Sequence, residues 1–533
     1  MTSSFMGIET SKRSLMTQQI ALNTTGHNVA NANTEGYTRQ TVNMVASRPI
    51  EAVGLTHSTR PGQLGTGVEF SSIDRIRESF LDSQFRKESS NSGSWSVQES
   101  ILAKLETIVN EPSESGLRSV IDKFWDSWYD LSENPEDLTA RKLVSQTAQS
   151  LADAFNQSYD QLEDLQADLT ENIRVKAAEM NTTIQTIAGL NDQIRKIEAL
   201  GDNANDLRDQ RDLLVDKLSS DINISFTEMP NGDYQITMGN QELVNGGRAT
   251  PLTADDLVSS FGGNLTGGEV YGMIKSRDQY VTTYKDQLNT LVNGMVNGDI
   301  TIKIPAGSTI PDGTVLAVQN GTTSTSVTFN DTNRFLTSDL TVTVKGLNGL
   351  HQLGYLIQGA TNAPVSGGLF FVSADGGPLS ASNIALNPEI VKDASKIASS
   401  MRTVKNDDGT ETIVNGNKDL AILIAQYKDT KIDFSSVGAA SSGSSKGTMQ
   451  DYFRSIVGQL GVQSEEAQRQ AKNAQSVVAQ VEGNRQSVSG VSLDEEMSNM
   501  IKFQHAYSAA ARFMTTIDET LDKLINGTGV VGR

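Results

Sequence analysis

The sequence predicts a mainly α fold with β insertions: coiled-coil helices at both termini, a long-helix bundle domain carrying a β-hairpin, and a small inserted all-β domain. Three observations predict it. A heptad seam fills the last stretch of the chain, and about sixty residues of the first half keep an unbroken helical period. Around residues 222–238 and again over 299–345 the apolar period drops to two.

The C-terminal helix is marked at both ends. Ser492 with Glu495 three positions on has the form of a capping box, and Gly527 follows the last apolar residue as a stop. Leu493, Met500, Tyr507, Met514 and Leu521 recur every seventh residue, and Phe503, Ala510, Ile517 and Leu524 fill the second seam position. Such a helix is roughly 50 Å long. At the other end Phe5, Ile8, Leu15, Leu22 and Val29 form a thinner seam, interrupted by Lys12, Gln19 and Gly26. The expectation is that the two terminal helices complete each other or neighbouring subunits. Spacing alone fits two ordinary amphipathic core helices equally well.

Between the ends the elements follow in order. His27 to Gln40 is rich in Asn, with Gly26 and Gly36, and reads as a specifically shaped turn. Extended chain follows at Thr41–Val45. The Gly62, Gly65, Gly67 loop leads into Val68, Phe70 and Ile73; its GxxGxG order runs into a strand and does not fit a phosphate loop. Asp74 to Asn110 reads as helix weakened at Gly93, and a short helix carries Phe124, Trp125 and Trp128, which together with Trp95 suit helix–helix core.

From Pro135 almost to Gly201 the apolar positions step by threes and fours, and at about 1.5 Å per residue this rod reaches about 90 Å. Leu207–Leu218 is a further short helix, and alternation on either side of Asn231–Gly232 marks a hairpin. Helical pattern resumes over Ser276–Asn297. The Thr-, Val- and Gly-rich block Asp299–Lys345 has the strand spacing of a small sandwich or barrel, inserted into a helix or its loop. Lys418–Tyr427 is an apolar helix, Ser435–Gly447 a flexible connector, and Thr448 to about Glu482 a second long helix, separated from the terminal one by Gly483 and Gly490. The domains expected are therefore 1–45 with 488–533 (terminal coiled coil), 46–298 with 346–487 (long helices and hairpin), and 299–345 (β insert).

Composition narrows the function. The chain has 533 residues, enough for three or four domains. Its 44 Lys+Arg against 64 Asp+Glu give 44 − 64 = −20, which disfavours duplex nucleic acid and anionic membrane as partners. No cysteine excludes disulfides, thiol nucleophiles and thiolate metal sites. There is no cleavable signal pattern and no apolar run approaching a membrane span, so the expectation is a cytosolic protein or one exported without a cleaved signal. The four histidines, His27, His57, His351 and His505, show no metal spacing, and His505 beside the seam reads as partly buried. Glu495 and Glu496 diverge on a helix and, with Asp494, read as first-turn capping acids. The alternating charges of DLRDQRDLLVDKL (206–218) read as a solvated face. No nucleophile, base and orienter assemble, and no catalytic, metal or cofactor site is expected.

The two ends together, HNVANANTEGYTRQ (27–40) and SLDEEMSNMIKFQHAYSAAARFMTTIDETLDKL (492–524), resemble the bacterial flagellar rod and hook axial proteins. The turn motif is carried by Asn28, Ala30, Asn31, Asn33, Gly36 and Tyr37, with Tyr37 where hook proteins usually have Phe. FWDSWYDLSENPEDLTAR (124–141) and NDLRDQRDLLVDKLS (205–219) make the resemblance most similar to the hook-associated protein 1 (FlgK) family of hook–filament junction proteins. It covers nearly all of 1–298 and 346–533; the 299–345 block carries no family signature.

The resemblance implies a structural adaptor joining hook to filament, extracellular and not an enzyme. It implies export through the flagellar type III apparatus, with a FlgN-type chaperone holding the C-terminal helix. It further implies a ring of identical subunits between the hook protein and the second hook-associated junction protein, ordered by burial of the terminal seams. Another axial protein (hook, distal rod or second junction protein) is the alternative, against which the FWDSW and LRDQRD stretches count. An exported adhesin or glycan-processing enzyme would have to use the insert, which offers Asp299, Asp312, Asp331 and Asp339 but no histidine.

Overall fold

The computed structural model describes residues 5–49, 65–109, 116–321, 323–357, 363–407, 409–437 and 446–527. The chain opens with helix α1 (Met6–Ala30), strands β1 (Gln40–Ala46) and β2 (Val68–Arg75), and helices α2 (Ser79–Val109), α3 (Leu117–Glu133), α4 (Leu138–Glu198) and α5 (Asn205–Asp221). Strands β3 (Ser225–Glu228), β4 (Tyr234–Met238), β5 (Gln241–Asn245) and β6 (Arg248–Ala249) follow, then α6 (Ala254–Ser259), α7 (Glu269–Lys275), a π-helical turn Ser276–Val281 and α8 (Thr282–Asn297). Next come β7 (Asp299–Ile304), β8 (Thr314–Asn320), β9 (Thr323–Phe329), β10 (Leu340–Lys345) and α9 (Gly346–Gln352). The last part holds β11 (Phe371–Ser373), β12 (Ile384–Leu386), α10 (Pro388–Lys392), β13 (Thr403–Lys405), β14 (Glu411–Ile413), α11 (Asp419–Tyr427), β15 (Ile432–Asp433), β16 (Lys446–Gly447), α12 (Met449–Ser489) and α13 (Leu493–Gly527). The fold is mainly α with β insertions, as the periodicities predict. His57, Gly62, residues 110–115 and residues 438–445 of the Ser/Gly run lie outside the described residues.

Two compact units are present. The first comprises 1–97, 173–272 and 470–533, so it contains both chain ends. Here α1 lies against α13 and against the antiparallel β1–β2 ribbon, whose register runs from Gln40↔Arg75 to Ala46↔Val68. The buried side of α1 is made of Ser11, Thr17, Gln18, Ala21, Thr24, Thr25 and Asn28, while Ile8, Leu15, Leu22 and Val29 are half-buried and Phe5 is exposed. This departs from a simple apolar seam, and the reason is the ribbon. Small and polar residues let its backbone approach: Thr17 Oγ1 donates to Val68 O at 3.4 Å, and a Cβ on Gly67 would sit 3.1 Å from Thr10 Cγ2.

The second half of α4 buries Ile173, Met180, Ile184, Ile187 and Ile194, and Leu190, Ile194 and Ala204 pack with Leu207 and Leu214 of α5. The hairpin foreseen at Asn231–Gly232, with Gly232 at φ 78°, is part of a four-stranded sheet in the order β3-β4-β5-β6. Gly93 does not interrupt α2, which runs through it unbroken. Its missing side chain is needed, because a Cβ there would come 2.5 Å from Ser220 O.

The second unit comprises 98–172 and 273–469. Phe124, Trp125 and Trp128 are buried among Phe370, Phe371 and Tyr427, so these two tryptophans are core. The 299–345 block is one antiparallel sheet rather than a sandwich or barrel, and it is not self-contained. Its order is β16-β15-β7-β10-β8-β9, with two strands supplied from beyond residue 430. One face, with Ile300, Ile302, Ile304, Leu316, Val318, Val342 and Val344, is buried. The insertion returns to its point of departure: Gly346 N donates to Gly298 O at 2.7 Å, with Gly346 at φ 45° pressed against the Val296 carbonyl.

Two further expectations are corrected. The Ser435–Gly447 run contributes a 3-10 turn (Phe434–Val437) and β16 rather than being connector throughout. Gly483 lies inside α12, where it costs about 1 kcal/mol but clashes with nothing; the break comes at Gly490.

Candidate functional site

The residues that join the two chain ends lie within the first unit. Helix α1 stops at Ala30, where Asn31 folds back and its Nδ2 donates to His27 O at 3.1 Å. Thr34 Oγ1 donates to Asn31 Oδ1 at 3.2 Å, and Gly36 takes φ 77° where the Leu213 side chain leaves no room for a Cβ. Asn28 is 1% exposed and fully used. Its Nδ2 donates to Gln40 O at 2.8 Å and to Glu496 Oε2 at 3.1 Å, while its Oδ1 accepts from Tyr37 Oη at 2.7 Å and from Gln40 N at 3.0 Å. Tyr37 also packs edge-on against His27. Burial, with Asp206, Asp209 and Glu496 nearby, pushes its hydroxyl pKa up, so it stays a donor. Ala30 and Asn33 are exposed and take no part in this joint.

Arg39 continues the joint. Its Nε meets Glu496 Oε1 at 2.8 Å and its Nη1 meets Glu495 Oε2 at 2.5 Å. Its backbone N–H donates to Ser489 O at 2.9 Å, and its carbonyl accepts from Ile76 N at 2.8 Å. Glu496, 2% exposed, is therefore a buried ion-pair partner and not a capping acid. The cap at Ser492 is one-sided: Ser492 Oγ accepts from Glu495 N at 3.4 Å, while the Glu495 carboxylate turns to Arg39.

Beneath the joint lies α5, whose charges are buried and not solvated. Asp209, Arg211, Asp212 and Asp216 all face inward. Arg75 binds Asp209 at 2.7 Å and Asp212 at 2.9 Å; Arg77 binds Asp82 at 2.5 Å and Asp212 at 3.1 Å. Arg86 joins Asp212 (3.3 Å) to Asp216 (2.6 Å), and Arg485 of α12 reaches Asp216 at 2.6 Å and Asp82 at 3.3 Å. Tyr234 Oη donates to Asp212 at 2.8 Å, and Thr38 N donates to Asp209 at 2.9 Å.

Burial alone would raise the Asp212 pKa, but the guanidiniums of Arg77, Arg75 and Arg86 outweigh it and hold the carboxyl well below its ordinary range. Asp209 is pushed up by burial against the pull of Arg75. Tyr234 is pushed up to about 12 by burial and by Asp212. Sequence reasoning missed this network, although a signal existed: Asp209, Asp212 and Asp216 are spaced by three and four, one helix face.

Above its base α13 is anchored lightly. Besides Glu496, only Ala510 among its described residues is buried. Met500, Phe503, Met514, Ile517 and Leu521 are half-buried, with Ile517 lying on Gly7 of α1, and Leu493, Tyr507 and Leu524 are exposed. Other apolar side chains of the two helices are exposed: Met497 and Ile501 share one side of α13 near its base, Phe513 and Ile525 lie elsewhere around that helix, and Phe5 and Met16 are exposed on α1. Ile501 is 52% and Phe513 51% exposed. His505 is exposed, contrary to expectation, because it lies off the side of α13 that meets α1.

Among the described residues no group of three His, Asp or Glu is placed to hold a metal ion, and no helix is long and apolar enough to cross a membrane. The joint is built for holding chain segments together by charge and hydrogen bonding.

Comparison with known proteins points the same way. Residues 102–298 match the family model described as the flagellar hook-associated protein FlgK helical domain. Residues 8–38 match the flagella basal body rod protein model, and 483–527 the C-terminal model of flagellar basal body rod FlgEFG proteins. Flagellar hook-associated protein 1 of Bacillus subtilis is 34% identical over 542 residues, covering 100% of both chains. That of Escherichia coli is 27% identical over 565 residues, covering 95% of this chain and 97% of the other. The solved flagellar hook junction protein FlgK from Burkholderia pseudomallei aligns with a TM-score of 0.48 at 16% identity, over 76% of this chain and 100% of that one. The chain belongs to the flagellar hook-associated protein 1 family, structural proteins of the bacterial flagellum.

Proposed function

We propose that this protein is the adaptor joining hook to filament, and that it assembles through its terminal helices. The observation that carries the reading is the exposed apolar surface of α13, with Met497, Ile501, Phe513 and Ile525 about half exposed or more beside a joint that satisfies the polar groups of Asn28 and Glu496. In a ring of identical subunits, Leu493, Met497, Ile501, Phe513 and Ile525 are covered by neighbouring copies, and the half-buried seam residues of both helices become fully buried. The regions 1–45 and 488–533 are then the polymerising part. The hook protein lies on one side of the ring and the second hook-associated junction protein on the other.

Export through the flagellar type III apparatus without a cleaved signal, to an extracellular position, completes this reading. A FlgN-type chaperone covers the C-terminal seam before export. The test is deletion of the gene in its source bacterium. The reading requires lost swimming, hooks still present and flagellin released into the medium. Loss of the hooks as well would assign the protein to rod or hook, and normal swimming would remove the reading.

A further inference from the structure

We infer that Arg39 and Glu496 are positioning residues that set the rotational phase of α13, and so decide which of its two apolar stripes is offered to neighbouring subunits. Helix α13 has 35 residues, yet its apolar contacts with α1 are mostly half-exposed. Two apolar stripes compete on it: the seam position Phe503, Ala510, Ile517 that faces α1, and a short exposed one at the base, Met497 and Ile501, that does not. Apolar contact is non-directional, so it discriminates poorly between these faces. The base of the helix does discriminate.

Glu496 lies seven residues before Phe503, at the same seam position, and its carboxylate is taken by Asn28 and Arg39 together. The guanidinium is a rigid fork, and it reads two successive residues, Glu496 through Nε and Glu495 through Nη1. A slip by one residue turns the helix by about 100° and replaces this pair by Glu495 with Asp494, or Glu496 with Met497. The slip toward Met497 leaves the fork a single carboxylate, and the slip toward Asp494 keeps two but puts the shorter Asp494 side chain where Glu495 reaches Nη1. Arg39 is itself fixed by backbone hydrogen bonds to Ser489 at the end of α12 and to Ile76 after β2, so the reference point does not move with α13. A single polar group within an apolar seam fixing register is an established use of buried polarity.

The proposal rests on the assembly reading for its consequence but is tested without it, in the isolated full-length chain. Because the chain has no cysteine, Ile501→Cys and Ile517→Cys each introduce a unique thiol. Maleimide labelling is expected to be at least about tenfold faster at 501 than at 517 in the parent. In the Glu496→Ala and Arg39→Ala backgrounds the ratio is expected to fall toward one, with circular dichroism unchanged. Phe503→Ala, which thins the seam and leaves the fork, is expected to keep it. Should Glu496→Ala fail to fold, Glu496→Gln keeps the shape and removes the charge. An unchanged ratio in the Glu496 and Arg39 variants, or an equal loss in Phe503→Ala, overturns the proposal. None of these outcomes depends on where the protein sits in the flagellum, which the gene deletion reads separately.

Discussion

Asp212→Asn tests the buried network beneath the chain ends. The substitution keeps shape and volume, so no cavity term enters. It removes the charge on which Arg75, Arg77 and Arg86 converge at 2.9, 3.1 and 3.3 Å. Asp212 is 1% exposed, so solvent cannot replace what is lost. Removing one partner of a buried ion pair costs about 3–5 kcal/mol. The remaining carboxylates, Asp82, Asp209 and Asp216, stay in place and keep the cost in that range rather than at three times it.

Urea unfolding of the purified chain measures this. Trp95 belongs to the first unit, whereas Trp125 and Trp128 belong to the second, so Trp125→Phe/Trp128→Phe makes fluorescence report the first unit alone. The sign with pH follows from the depressed pKa. The contribution is fully present above the unfolded value of 3.8 and disappears as pH falls below it. At neutral pH Asp212→Asn is expected to destabilise by about 3–5 kcal/mol, and the exposed Asp202→Asn by less than about 0.5 kcal/mol. An equal effect of the two would refute the network's role.

Other predictions follow from single contacts. His351 is buried, with its Nδ1 side 2.7 Å from Gly368 O and its Nε2 accepting from Ala398 N at 2.9 Å. Burial lowers its pKa from 6.5 to about 4. The unfolded chain therefore binds the proton first, and stability should fall by about 2 kcal/mol between pH 7 and 5, a slope that His351→Gln should lack in urea titrations at the two pH values. Gly93→Ala places a methyl against Ser220 O and should lower the urea midpoint by about 1–3 kcal/mol equivalent, whereas Gly483→Ala, in open space, should be neutral or stabilising. Met514→Asp puts a charge in the seam and should abolish motility while circular dichroism and the thermal transition of the rest persist; normal swimming would contradict assembly through that seam.

The periodicities were legible where one face of an element alone meets the core. The rod from 138 to 198 and the hairpin at Asn231 follow their apolar spacing, and the extent of the terminal helix was legible although its seam is mostly half-exposed. Legibility failed where burial is polar. Helix α1 is most deeply buried through Ser, Thr, Gln and Asn because a strand pair lies against it, so its half-buried apolar heptad positions do not mark the side covered within the single chain. The charges of 206–218 looked solvated because their partners, Arg75, Arg77, Arg86 and Arg485, come from elements far away in sequence. Glu496 was read locally as a first-turn acid, and only the approach of Asn28 and Arg39 reveals its part. The insert was bounded by composition at 345, but its sheet is closed by two-residue strands too short to show a period.

The central claim is that the exposed apolar surface of the terminal helices is covered by neighbouring subunits in the flagellum. Ile501→Cys tests it most directly, being the sole thiol in an otherwise cysteine-free chain. Its maleimide labelling would be compared between the purified monomer and intact flagella from motile cells, with Asp202→Cys on an exposed loop as reference. Protection of position 501 in flagella by about tenfold or more, with position 202 labelled alike in both states, is the predicted result. Equal labelling of position 501 in monomer and in working flagella would contradict the account.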